Sequence, residues 1–262
     1  MTTPEKKTPE KKGKLDSGGD RPKDVRPRLA RRPAPAEPEA LDILDELAAR
    51  HRLRITGFAD SGIDAQAARE IAAAVDDVLG RHQSVDLAGL AVVALPNGQV
   101  SCVRWEERAD PPSGGWIVFQ QLFADASDAR ARVPAGGRWP GSAVAGKVLE
   151  RPMYTIVVHN LGELLVDSAG PDITRRAERT MITEYHRISG PWHGDTLAAV
   201  VRGYRDWRSQ LGSAGSATGP LDPRSMLAAG FTEVELRPDT ACGPAKVLHR
   251  VLVETMRGRP VH

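Results

Sequence analysis

Every strand-forming segment of this 262-residue chain falls before residue 124, and helical segments fill the remainder. Strands first and helices after indicate an α+β fold rather than a doubly wound one, in which the two would alternate. LDILDELAARH, from Leu41, places Leu41, Leu44, Leu47 and Ala48 on one helical face. LRITGFA reads as a short strand with a glycine near its end. IDAQAAREIAAAVDDVLGRH is the clearest amphipathic helix, with Ile63, Ala67, Ile71, Ala74, Val75 and Val78 in one stripe. The apolar run Leu90–Leu95, the dipeptide Asn97-Gly98 and the run Val100–Trp105 predict a hairpin, because Asn-Gly tolerates the positive φ of a tight turn. GGWIVFQQLF is a third strand candidate. A short helix is expected from Asp125 to Val133, followed by the Gly/Pro-rich loop PAGGRWPGSAVAG. Four further helices are expected over Ile173–Arg187, Thr196–Gln210, Arg224–Val234 and Ala245–Arg257.

Residues 1–40 differ from the rest. They hold 11 Lys and Arg against 7 Asp and Glu, 7 of the 20 prolines and no aromatic residue. Such a segment cannot bury enough apolar area to offset the entropy of ordering it, so a disordered basic tail is expected before a domain spanning 41–262. The tail reads either as an electrostatic arm toward nucleic acid or an acidic partner, or as a solubilising linker. The whole chain carries a formal charge of only +2, so no global field points to nucleic acid or a membrane. Two cysteines, Cys102 and Cys242, make no disulfide framework, which suggests a reducing compartment. Neither a membrane-spanning run nor a secretory signal is visible.

The stretch with most chemistry is YTIVVHNLGELL, Tyr154–Leu165. His159 and Glu163 are four residues apart, so on a helix they share a face and could reach one ion. The spacing is that of H-E-x-x-H, in which two histidines bind zinc and the glutamate takes a proton from the metal-bound water. Here Asn160 stands at the base position and cannot accept a proton near neutral pH. Glu163 stands at the second-ligand position and could still ligate zinc as a carboxylate. A third ligand is not identified. Asp167 lies one turn further along, His186 and His193 follow the next helix, and His249 lies on the last one. The competing reading of His159 and Glu163 is a hydrogen bond along a helix face, and each lone histidine reads equally well as a structural residue.

From about Leu41 onward the chain resembles the zincin-type metallopeptidase domains of bacteriophage and mobile-element proteins, including those in minor head proteins and polymorphic toxins. IVVHNLGELLVD is similar to the active helix of those domains through Ile156, Val157, His159, Gly162, Leu165 and Asp167. SATGPLDPRSMLAAGFTEV is similar to their later ligand segment through Pro223 and Phe231, with Ser225 and Ala229 at the two acidic positions and no tyrosine nearby. CGPAKVLHRVLVE is similar to their final helix. The resemblance implies a zincin-like α+β domain whose base, second histidine, third ligand and tyrosine have all been replaced. It implies a pseudo-peptidase that binds protein partners in an assembly, such as a minor virion or head-associated component beside the capsid or portal. It would sit in the host cytoplasm or the virion, with the tail near nucleic acid. On this reading no cofactor is needed, though zinc remains possible. The alternatives are an active zinc metallopeptidase with an atypical His/Glu site, and a toxin or effector with a repurposed cleft.

Other motifs are weaker. GSAVAGK carries Gly141, Gly146 and Lys147 but continues with Val148, so it is no phosphate-binding loop. Tyr204 and Trp207 among Arg202, Arg205 and Arg208 make a basic aromatic helix, read either as a phosphate or partner contact or as a solvated face.

Overall fold

A computed structural model describes residues 35–96, 99–105, 114–121, 150–192, 196–215 and 222–258. In chain order these form α1 (Pro38–His51), β1 (Arg54–Thr56), α2 (Ala65–Arg81), β2 (Leu87–Val93), β3 (Ser101–Trp105) and β4 (Gly115–Gln120). Then come α3 (Pro152–Ala169), α4 (Asp172–Ser189), α5 (Leu197–Arg208) with a 3₁₀ extension, α6 (Pro223–Leu236) and α7 (Gly243–Arg257). The fold is mixed α+β. Of the segment read as tail, residues 1–34 lie outside the described residues, whereas α1 already starts at Pro38. The helix expected at Asp125–Val133 and the loop after it also lie outside them.

The sheet corrects one expectation. Its strand order is β1-β2-β4-β3, with β1, β2 and β4 parallel and β3 antiparallel to β4. The runs on either side of Asn97-Gly98 are therefore not hairpin partners, since β4 lies between them, pairing Ile117 with Leu90 on one side and with Val103 on the other. Asn97 and Gly98 themselves lie outside the described residues. The reason is burial: Ile117, Val118 and Phe119 are consecutive buried residues. A strand covered on both faces belongs inside a sheet. Ser101–Trp105 is only partly covered and takes the edge.

The stripe expected there is buried: Ile63, just ahead of α2, and Ala67, Ile71, Ala74, Val75 and Val78 on it are all fully inaccessible. Asp64 starts the helix, its side chain accepting the Ala67 N–H at 2.6 Å. On α3, 14 of 18 residues are buried, so this helix is the centre of the domain, packed by α2, α6, α7 and the sheet. It has no capping side chain of its own, and Pro152 occupies its first position. Glu70 of α2 supplies the cap instead: its Oε2 accepts the N–H of Met153 at 2.9 Å and that of Tyr154 at 3.4 Å. A carboxylate there satisfies donors left open by the helix geometry and meets the positive end of the helix dipole. Glu70 is 1% exposed, and Gln66 donates to its other oxygen.

Gly162 lets α6 lie close against α3. A Cβ there would stand 2.9 Å from Phe231 Cδ1 and 3.3 Å from the Ala228 carbonyl oxygen. Among the described residues no helix is long and apolar enough to cross a membrane.

Candidate functional site

From Pro152 to Val166, only His159 and Glu163 reach the surface even in part; Asp167 continues the same line. The fourfold spacing thus marks the one stripe of a buried helix that opens to solvent. His159 Nδ1 lies 3.2 Å from Thr232 Oγ1 on α6. The Thr232 hydroxyl proton goes to the Ala228 carbonyl at 2.7 Å, so its oxygen accepts from His159 Nδ1–H. That puts a proton on Nδ1 and leaves Nε2 toward Glu163, whose Oε1 is 3.6 Å away.

Asn160 points elsewhere. It is 1% exposed, and its Nδ2 donates to Ser101 Oγ at 2.8 Å and to the Ile156 carbonyl at 2.7 Å. The side chain joins α3 to the edge strand β3 and offers nothing to the cleft. Asp167 is also committed, with Oδ2 accepting from Trp105 Nε1 at 3.0 Å and Oδ1 paired with Arg224. Asp222 caps α6 by accepting the Arg224 N–H at 3.1 Å, and Ser225 donates to its other oxygen. Glu163, Asp167, Asp222, Arg224 and Ser225 line one open cleft of about 300 Å³. Ser225, at one expected acidic position, faces this cleft; Ala229, at the other, is buried. Among the described residues, no third His, Cys, Asp or Glu ligand atom closes on His159 and Glu163.

The other histidines divide. His186 is exposed and packs against the Trp192 ring at 4.6 Å, and His193 lies outside the described residues. His249 does meet other ligands, in a second place. Its Nε2 lies 2.9 Å from Glu235 Oε1, and the Nε2 of His82, at the end of α2, lies 2.7 Å from the same oxygen. Glu235 Oε2 meets Arg81 Nη1 at 2.6 Å, off hydrogen-bond direction. The Phe231 ring packs against both imidazoles, parallel to His249 at 5.5 Å and tilted to His82 at 5.2 Å. Burial pushes the Glu235 carboxyl pKa up, but the bonds to His249 and His82 and the charges of His82 and Arg81 outweigh it and hold the value at about 2.

Sequence spacing does not disclose this trio, because His82 and Glu235 are 153 residues apart. One signal was available. After Ser225, α6 reads MLAAGFTEVEL, nearly apolar all round, so Thr232, Glu233 and Glu235 had to be buried and to find partners. Each did: Thr232 with His159, Glu233 with the Cys242 N–H at 2.8 Å, and Glu235 with the two histidines.

The aromatic residues of α5 turn inward. Tyr204 and Trp207 pack on Tyr185 of α4 at 5.5 and 5.8 Å, and Arg208 is buried beside Tyr204. No protein-family model matches this chain, and neither a curated protein nor a solved structure matches it significantly.

Proposed function

We propose that this chain is a zincin-like pseudo-peptidase, a binding or structural component of an assembly with no hydrolytic activity. The observation that carries the reading is Asn160. A zinc hydrolase needs a proton acceptor beside the metal-bound water. The residue after His159 is an amide, and both of its donors are spent inside the fold. The cleft beside it keeps polar groups of both signs, Glu163, Asp167 and Arg224, which suits recognition of a partner segment.

The similarity to phage-encoded domains makes a minor virion or head-associated protein the leading context. The basic tail would then lie against packaged DNA or an acidic capsid surface. Deleting residues 1–34, which leaves α1 and Ala40 intact, tests that role: unchanged incorporation and unchanged DNA affinity would remove it.

A second reading, an atypical zinc peptidase, is favoured by the orientation of His159, whose Nδ1 is held by Thr232 and whose Nε2 is directed at Glu163. Hydrolysis assays on zinc-loaded protein separate the two. The pseudo-peptidase hydrolyses no protein or peptide substrate, and turnover abolished by His159→Ala would overturn it.

A further inference from the structure

We propose that His82, Glu235 and His249 form a binding site for a divalent transition-metal ion, zinc being the expected occupant, separate from His159 and Glu163. Two imidazole nitrogens and one carboxylate oxygen are the donor set of a three-ligand zinc site with one open position. Their ligand atoms lie within 4.8 Å of one another. His82 directly follows α2, Glu235 lies on α6 and His249 on α7, so an ion there would clip the end of α2 to two helices far from it in sequence.

The spacing is close to what an ion requires. Metal–ligand bonds of ~2.0–2.1 Å in a tetrahedron set donor atoms about 3.3 Å apart. The two edges to Glu235 Oε1 are 2.7 and 2.9 Å and must each open by about 0.5 Å, while the third edge, between the two imidazoles, lies within 4.8 Å. The imidazoles are held in place by Phe231, which is fully buried between α3 and α7. Arg81 occupies Glu235 Oε2, leaving Oε1 as a single-oxygen ligand. Its charge opposes an ion, but its side chain is 49% exposed and can swing toward solvent. An open cleft of about 260 Å³, lined by Arg81, His82 and Ser84, gives an ion access to His82.

The competing account is a hydrogen-bonded cluster, with both imidazoles donating Nε2–H to one carboxylate oxygen. The two differ in a measurable way, because a bound ion takes the Nε2 lone pair of each imidazole, and a neutral ring then carries its proton on Nδ1 instead.

The test uses the full chain, stripped with a chelator and titrated with zinc, with cobalt(II) as the spectroscopic probe. The site predicts one equivalent bound, visible ligand-field absorption from cobalt, and a rise in Tm with excess zinc. His249→Gln and His82→Gln each weaken binding by at least about tenfold, while His159→Ala leaves it unchanged. If either variant fails to fold, the cobalt spectrum and zinc-dependent Tm of His159→Ala decide, since that variant keeps only this trio. No binding, or no Tm response, means a hydrogen-bonded cluster only and overturns the proposal. Zinc kept by His249→Gln but lost by His159→Ala assigns the ion to the other cleft and also overturns it. The proposal does not depend on the chain being a pseudo-peptidase, since hydrolysis is read separately.

Discussion

Asn160 donates both protons of its amide within the fold, to Ser101 Oγ at 2.8 Å and to the Ile156 carbonyl at 2.7 Å. The asparagine therefore serves as a tie between the central helix and the edge strand. Asn160→Asp keeps the shape but removes both donors and sets a carboxylate against a buried carbonyl. A loss of about 1–3 kcal/mol is expected in urea denaturation. No peptidase activity should appear, because the side chain faces β3.

Glu70→Ala strips the acceptor from the first turn of α3 and leaves the N–H groups of Met153 and Tyr154 buried without it. The expected cost is about 1–3 kcal/mol. Glu70→Gln should recover part of this, since an amide oxygen still accepts but carries no charge for the helix dipole. Equal losses in the two variants, measured by denaturant midpoint, would contradict the hydrogen-bonding account.

Gly162→Ala sets two effects against each other. Alanine favours helix by about 1 kcal/mol over glycine, but overpacking a tight contact costs roughly 1–3 kcal/mol. The added carbon would meet the buried Phe231 ring at 2.9 Å and a backbone oxygen at 3.3 Å. Neither neighbour yields easily, so a lower Tm is expected; an unchanged or higher one would mean that α6 shifts freely on α3.

Tyr154 gives a pH signature. Burial, then the hydrogen bond and negative charge of Asp77, push its phenol up to about 12 from 10.0. Its hydroxyl donates to Asp77 Oδ2 at 2.8 Å. A raised folded-state value means that the stabilisation is complete below pH 10 and is lost as pH rises through about 12. Ultraviolet titration should show a late tyrosine ionisation that Tyr154→Phe removes. If the late component survives in Tyr154→Phe, it belongs to another residue, such as Tyr204, whose value burial also raises.

Much of the helical framework was legible because each helix carries its own periodicity. The expected Ile173–Arg187 became Asp172–Ser189, and Arg224–Val234 became Pro223–Leu236. Strand pairing was not legible, because the turn signal at Asn97-Gly98 is local while the place of β4 depends on what covers its two faces. His159 and Glu163 could be placed on one face because both belong to α3. The partners of Asn160 and of His249 could not, since Ser101 comes from the sheet and His82 from the turn that follows α2. The one guide to such pairings was compositional: a charged residue inside an apolar helix, such as Glu235 in α6, must be answered from elsewhere in the fold.

The acid at residue 70 acts beyond its own helix. It anchors the first turn of α3 from 83 positions upstream, so the start of that helix is set by α2 rather than by the sequence joining it to the sheet. His159 and Glu163, further along that helix, therefore owe their address on the surface to an acid of α2.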